Sequence, residues 1–499
     1  MAIEEQPTEP STILAGLRAH RELAAAGVAL FAQWLLRRIV PAMPFAPYSV
    51  ANRIVRLTPG DVATFGIDQF GHMALPLLAG GVVIATLVLG LAIGRRSAFL
   101  LGAVAATLSF AAMRIDPVPQ DLRNSALSSL VAGAAAWATA GLLSLTRAES
   151  ASPFDPRRRQ LVITGALGIG LIVVFGAAEL RRMARHVMAA ASVHADEPAA
   201  VPTDASFAEV PGLSPQVTPR DKHYEIDIDI ENPSVDPASW RLRIAGAADA
   251  TESLSLDDLR AMPTVERLQL MSCISNDVGG DLVSCSRWTG VRLSDVLARV
   301  RPHNDAQMIV AHAIDGYAET VPIDIARGSS VLVAFGMDGL VLPDAHGAPA
   351  RLLFPGRYGM RSVKWLKELY VSSTTEEGYW EQRGWDQQAI MRTSSRIDAV
   401  DRGDAAGRFT AAGIAWAGDR RISKVEVSVD DGATWRDATL EEELGPLAWR
   451  RWQIPIDLSP GDHTIVVRAT DGRGALQDAT ERPPHPSGSS GYHKVSLRV

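Results

Sequence analysis

Two cysteines stand in 499 residues, Cys273 and Cys285, twelve positions apart. They are too few for a disulfide framework or a four-cysteine zinc site, and no CxxCH haem-attachment string occurs. Three uses remain open: one disulfide in an exported domain, a small buried apolar side chain, or a thiolate ligand to a metal. Cys273 lies in MSCISNDVGGDLVSCSRWTGVRLSDVL, where Asn276 follows at +3 and Gly279-Gly280 supplies a turn. Four further strings are dense in groups that bind anions or move protons: TPRDKHYEID, DGYAETVP, HGAPARLLFPGRYGMRSVKWL and AWRRWQ. Each string alone has a plain packing explanation. Their chemical weight comes from their order along one chain.

In that order and spacing the strings resemble the sulfite oxidase family of molybdopterin-dependent oxidoreductases, in a bacterial membrane-anchored form. The resemblance runs from Arg220 to the C-terminus. It implies a molybdenum-molybdopterin cofactor, a soft centre that takes one further thiolate from the protein, and Cys273 falls at that ligand position. Metal binding would itself lower the pKa of the thiol. Asn276, His346, Arg351, Ser362 and Lys364 match cofactor-binding positions, since a buried phosphate requires cations of forked or point-charge geometry. Asp221, Tyr224 and Glu225 fall where related sulfoxide reductases contact the cofactor, with Asp221 replacing an Asn. On the substrate side the resemblance offers Tyr317, Arg220, Arg450 and Trp288. One departure stands out: sulfite oxidases follow Cys-x-x-Asn with two arginines, and here Asp277 and Val278 stand instead. An acid there weakens the field that draws in a dianion. Cys285 matches no ligand position.

The elements that must position these residues are mixed. YEIDIDI alternates like a strand, LSLDDLRAM and LSDVLARV have helical spacing, and MIVAHAI and SVLVAFG read as buried strands. This predicts an α+β molybdopterin domain over residues 220–397. From about residue 398 to 499, short β-rich segments separated by DDG, SPGD and DGRG turns predict an immunoglobulin-like sandwich. The tail resembles the family's dimerisation domain, which implies a homodimer. Residues 191–219, rich in Pro, Ala and acid, read as a linker.

Residues 1–190 hold 17 Arg, no Lys and 11 Asp+Glu, whereas the remainder holds 32 basic and 45 acidic residues. The acidic half excludes nucleic acid as a partner, because phosphate binding needs a basic surface. Uncharged runs at residues 71–94, 97–113, 125–145 and 161–178, and a shorter one at 23–36, predict a transmembrane α-helical bundle of four or five helices. RRRQLVITGALGIG resembles an internal twin-arginine export signal. A multi-pass protein of the cell membrane follows, with the lipid bilayer as partner and the catalytic domain on the extracytoplasmic side.

The function expected is two-electron oxygen-atom transfer on a small oxyanion or sulfur oxide, Mo(VI) cycling with Mo(IV). Electrons would pass to or from a separate cytochrome or quinone, since the chain carries no cytochrome domain. The alternatives are a sulfoxide-type reductase of the same fold and a non-catalytic membrane receptor that retains the fold.

Overall fold

The computed structural model describes residues 21–39, 43–59, 62, 70, 73–93, 98–116, 122–145, 192–199, 207, 210–229, 232–403 and 407–499. The chain divides into two units, Met1–Ala189 with Asp227–Ser234, and Ala190–Ile226 with Val235–Val499.

The first unit holds α1 (Arg21–Ile39), α2 (Ala46–Leu57), α3 (Ala74–Ile93), α4 (Ala98–Arg114) and α5 (Leu122–Leu145). Small side chains let α1 and α5 approach: Ala25, Ala29, Ala132, Ala136 and Ala140 are buried together. Polar groups tie the same helices. The Gln33 amide donates to the Ser128 carbonyl at 3.2 Å, and the Ser128 hydroxyl donates to the Pro44 carbonyl at 2.8 Å.

This corrects the expected transmembrane bundle. Among the described residues no helix is long and apolar enough to cross a membrane. At about 1.5 Å per residue the 17-residue α4 reaches about 25 Å, short of a roughly 30 Å hydrocarbon core. The run at 23–36 sits inside a helix that carries Arg21, Glu22, Arg37 and Arg38. α5 begins with Arg123 and Asn124 and buries Ser125, Ser128 and Ser129. The runs at 23–36, 97–113 and 125–145 are thus helices whose alanines pack on one another, Ala25 and Ala29 of α1 against Ala132, Ala136 and Ala140 of α5, with Ala105 of α4 beside them. The multi-pass membrane location, and the extracytoplasmic placement that followed from it, lose their basis. The run at 161–178 and the RRRQLVITGALGIG string lie outside the described residues.

The second unit is built on strands. Its first part contains β1 (Leu242–Gly246), β2 (Glu252–Leu254), β3 (Thr264–Ser272), β4 (Val283–Arg292), β5 (Met308–Ala313), β6 (Ala318–Pro322), β7 (Leu332–Met337), β8 (Leu340–Val341), β9 (Arg351–Leu353) and β10 (Leu366–Ser372). They form one sheet in the order β2-β1-β10-β5-β6 and another in the order β3-β4-β7-β8, with β9 paired to β7. Three short helices interleave, α6 (Leu256–Arg260), α7 (Leu293–Ala298) and α8 (Ile323–Ala326). The start of α6 follows from its sequence: Ser255 and Asp258 cap each other reciprocally. The apolar runs MIVAHAI and SVLVAFG are β5 and β7, as expected of strands buried on both faces.

YEIDIDI does not form a strand. The Tyr224 amide binds the Ser284 hydroxyl at 3.0 Å instead of a neighbouring backbone, so no ladder begins there. The stretch expected as a linker also makes sheet contacts, with bridges from Ser192 to Leu340 and from Glu197 to Val265.

The second part contains β11 (Ser394–Arg402), β12 (Arg408–Trp416), β13 (Ile422–Ser428), β14 (Arg436–Asp437), β15 (Thr439–Leu440), β16 (Arg450–Asp457), β17 (Asp462–Asp471) and β18 (His493–Arg498). Two four-stranded sheets, β11-β12-β16-β15 and β14-β13-β17-β18, close over one apolar core. Trp452 lies at its centre, wholly buried among Ile397, Phe409, Val425 and Val467. The β-sandwich expected from the turn-punctuated tail is present.

Candidate functional site

The β3–β4 hairpin is paired without a break from Thr264↔Val291 to Ser272↔Val283. Cys273 is the next residue, at the mouth of the ten-residue connection. Its amide donates to the Leu282 carbonyl at 2.9 Å, which extends the ladder by one bond and fixes where the thiol emerges. Asn276 braces the loop from inside, its side-chain oxygen accepting the Leu282 amide at 2.9 Å. Gly280 is required here, because a Cβ would lie 2.5 Å from that oxygen. Gly279 adopts φ +78° and presses on the His493 ring of β18. From the sandwich side the Ser489 hydroxyl donates to the Asn276 carbonyl at 2.6 Å. The loop is therefore clamped between a hairpin and the sandwich.

The two cysteines differ in setting. Both are free thiols. Cys285 is fully buried within β4, and burial pushes its thiol up to about 12. Cys273 is only partly buried, its sulfur 3.0 Å from the Ser275 hydroxyl. Burial raises the Cys273 thiol also, opposed only by hydrogen bonds from Ser275 and Ile274. No basic side chain contributes to holding that thiolate, whereas a bound cation would.

Close packing of cationic groups defines the second part of the site. His346, in the 3-10 turn Asp344–His346, meets His223 with ring centroids 4.9 Å apart. His223 stands edge-on to Trp288 at 5.6 Å, and its Nδ1 pairs with the Ser286 hydroxyl at 2.9 Å. Arg351 starts β9, buried, with its guanidinium 5.1 Å from the Trp288 ring. It donates to the carbonyls of His346 and Ser362, each at 3.0 Å. The Lys364 ammonium donates to the Ala345 carbonyl at 2.7 Å. Burial, then Arg351 and Lys364, hold His346 down at about 4. Burial first, then His346, Arg351 and Lys364, depress His223 as well. No carboxylate contributes to either shift. The Nδ1 of His346 is buried without a hydrogen-bond partner. An orphaned polar atom among three cations or imidazoles is what an anionic ligand would satisfy.

Tyr317 belongs to a third cluster. Its hydroxyl lies 3.0 Å from Glu319 Oε1 and 2.7 Å from the Met360 carbonyl. Glu319 in turn accepts from Arg361 at 2.9 Å.

Most of the residues singled out in the sequence fall in these clusters. Cys273 and Asn276 share the loop. His346, Arg351, Ser362 and Lys364 share the cationic pocket, and Arg220 joins them, since its backbone bonds the His346 ring. The Arg220 side chain donates to the Val341 carbonyl. Trp288 is wholly buried beneath Arg351 and His223. Tyr224 stacks on His223 at 5.5 Å, while Asp221 and Glu225 flank it on the exposed side. Arg450 sits apart in β16, its guanidinium donating to the Glu441 and Ile422 carbonyls of the sandwich. Asp277 is exposed and lines a cleft of about 390 Å³ with Val278, Glu481, Arg482 and Ser489.

Several groups were missed. His223 stands within the quoted string TPRDKHYEID, but one histidine beside a lysine gives no signal of a partner 123 residues on. Glu319 was detectable, two positions beyond Tyr317 and hence on the same side of an extended chain. Arg392 and Arg420 gather at Tyr358, where the field of Cys273 is also felt. Their partner segments are far apart in sequence.

Two family models match consecutive stretches of the chain. The description "Oxidoreductase molybdopterin binding domain" matches residues 229–380, and "Mo-co oxidoreductase dimerisation domain" matches residues 382–485. Mitochondrial sulfite oxidase of Mus musculus is 32% identical over 321 residues, covering 54% of this chain and 59% of that protein. The enzyme of Homo sapiens is 31% identical over 303 residues, 50% of this chain and 55% of that protein. Nitrate reductase [NADH] of Ulva prolifera is 28% identical, covering 50% of this chain and 36% of that protein. The chain thus spans less than two thirds of the length of these relatives. Among solved structures, the sulfane dehydrogenase SoxCD of Paracoccus pantotrophus shares the fold with a TM-score of 0.52, at 20% identity, covering 60% of this chain and 88% of that one.

Proposed function

The chain belongs to the sulfite oxidase family of molybdopterin-dependent oxidoreductases, and we propose that it transfers an oxygen atom to or from a small oxyanion or sulfur oxide, with sulfite the first candidate. The observation that carries the reading is one partly exposed thiol at a braced loop, together with a pocket in which burial, Arg351 and Lys364 depress His346 and leave its buried Nδ1 without a hydrogen-bond partner. The residues fit the cofactor: a soft metal takes the Cys273 thiolate, and an anionic pterin tail takes His346, His223, Arg351 and Lys364.

When bound, the molybdenum cofactor supplies two-electron exchange and the oxygen atom. The chain does the rest. Cys273 anchors the metal at the end of a ladder whose last bond, to Leu282, fixes the sulfur's exit direction. Asn276 ties the loop to its far end by accepting the Leu282 amide. His346 Nδ1 gains the partner that the apoprotein denies it. Arg351 holds the His346 and Ser362 carbonyls together, so the pocket is organised before the ligand arrives, which lowers the ordering cost of binding. Tyr317 presents a hydroxyl held in place by Glu319 and Met360. Tyr224 packs on His223 beside the cationic pocket, with Asp221 and Glu225 exposed on either side of it in sequence.

Residues 220–397 form the catalytic domain in this reading and residues 398–499 the dimerisation domain. Electrons pass to or from a separate carrier, a cytochrome or a quinone. Reduction of a sulfoxide is the second direction, favoured by Asp277 at the rim of the cleft beside the ligand loop, where a neutral substrate meets no repulsion. The test is steady-state turnover of the purified enzyme with sulfite and ferricyanide, against a sulfoxide with reduced viologen. Sulfite-dependent ferricyanide reduction supports the leading reading. Activity with the sulfoxide alone reverses the direction, and no turnover with either by molybdenum-loaded protein contradicts both.

A further inference from the structure

Beneath Tyr317 lies a buried cluster of two carboxylates and one guanidinium. Glu319 is fully buried in β6, Glu381 is almost so in the 3-10 turn Glu381–Arg383, and Arg361 joins them from the turn Gly359–Arg361. One nitrogen of Arg361 donates to Glu319 Oε2 at 2.9 Å, to the Thr320 carbonyl at 3.2 Å and to its hydroxyl at 3.1 Å. The other pairs with Glu381 Oε1. Gly378 lies directly on the Glu319 carboxyl, where any Cβ would collide with it. Tyr379 covers the Tyr317 ring at 5.5 Å, and Asp315 accepts the Tyr317 amide at 2.8 Å.

Two counts do not balance if Glu319 is ionised. The cluster would hold two negative charges against one positive in a buried place. The Tyr317 hydroxyl would face two acceptors, Glu319 Oε1 and the Met360 carbonyl, with one proton to give. A proton on Glu319 resolves both. Glu319 then donates to Tyr317, Tyr317 donates to Met360, and one carboxylate faces one guanidinium.

We propose that Glu319 is a positioning residue whose single proton, retained because Arg361 is already paired with Glu381, sets the direction of the Tyr317 hydroxyl. This rests on the reading that Tyr317 faces substrate. With Glu319 neutral, the Tyr317 proton rests on a neutral carbonyl and is released readily to a substrate oxygen. With Glu319 ionised, the same proton is held in a charge-assisted bond and withdrawn from substrate. Burial and the Glu381 charge, opposed by Arg361, raise Glu319 to about 7, so a pH change near neutrality would move this proton. The other charged groups facing the cluster are Arg361 and Glu381, Asp315 through Tyr317, Arg357 and Asp386 through Arg361, and Arg383, which lies 3.6 Å over the Tyr379 ring.

The experiment pairs infrared spectroscopy of the resting holoenzyme with pH profiles of sulfite oxidation for wild type, Glu319→Gln and Tyr317→Phe. The amide of Glu319→Gln donates to Tyr317 as the neutral acid does. A protonated-carboxyl band that titrates near neutrality in wild type and is missing in Glu319→Gln is expected, whatever the substrate. The wild-type kcat/KM should fall by up to about tenfold per pH unit above that transition, and Glu319→Gln should lose this limb. The absence of such a band overturns the proposal while leaving the Tyr317 reading intact. A basic limb that persists in Glu319→Gln also overturns it. Unchanged kcat/KM in Tyr317→Phe removes the reading of Tyr317 and the positioning role with it.

Discussion

His223 and His346 meet edge to face with their rings inclined at 70°, and every charged group that shifts either imidazole is a cation or the other imidazole. Two imidazoles so placed stay neutral until an anion joins them. Each is a proton acceptor in the unfolded chain near pH 6.5 and a poor one in the folded apoprotein.

Acid should therefore unfold the cofactor-free protein early. His346 has its folded pKa depressed to about 4, so the unfolded state binds the proton more tightly over the interval from about 6.5 down to 4. Stability is complete above about pH 6.5 and is lost as pH falls toward about 4, by on the order of 3 kcal/mol at roughly 1.4 kcal/mol per unit. Denaturant midpoints of apoprotein at several pH values measure it. His346→Gln should flatten the dependence, and so should bound cofactor, whose anionic tail favours the charged ring. A slope unchanged in His346→Gln would assign the acid sensitivity elsewhere.

Arg351 and Lys364 should separate structure from ligand binding. Arg351→Met leaves the His346 and Ser362 carbonyls without their donor in a buried place and should cost about 2–4 kcal/mol of stability. Lys364→Met removes, among others, the bond to the Ala345 carbonyl and the cation–π contact with Trp365, at a partly buried position, and should leave the melting temperature within a few degrees. Both should lower pterin content per chain. Calorimetry alongside fluorescence of the released pterin distinguishes them; a Lys364 variant with full pterin would remove this residue from the cofactor pocket.

Asp277→Arg should improve the apparent KM for an anionic substrate modestly, by roughly threefold and less at high salt. Asp277 is exposed, and at a Debye length of about 10 Å in 0.1 M salt its field is screened. Steady-state kinetics at two ionic strengths decide this. A tenfold or larger gain that survives high salt would mean that residue 277 contacts the substrate.

The parts of this molecule legible in its sequence are those in which chemistry is local. Cys273, Asn276 and the two glycines lie within eight residues, and most of the bonds that hold their loop are equally local, from Cys273 and Asn276 to Leu282. β5 and β7 were visible as short apolar runs because they are buried on both faces. The Tyr317 cluster was half visible. Tyr317 and Glu319 share a string, but Arg361 lies 42 residues from Glu319 and Glu381 comes from a further turn, so only the fold unites them. Arg450 matched a motif position, yet the strand pairing of β16 turns its guanidinium to the carbonyls of Glu441 and Ile422. The apolar helices were misread for a physical reason. An alanine-rich run has the same hydropathy whether it faces lipid or the side of another helix, and the burial of Ala25, Ala29, Ala132 and Ala136 shows the second.

The account turns on Cys273, and molybdenum content tests it most directly. Wild-type protein from a host that makes the cofactor should carry about one molybdenum and one pterin per chain. Cys273→Ser should lose most of the metal or all of the activity, because an alcohol is a poor ligand to a soft centre. Cys285→Ser, which alters a thiol sealed inside β4, should keep both at a modest cost in stability. Wild-type protein free of molybdenum and pterin, or equal losses in the two variants, would contradict the account.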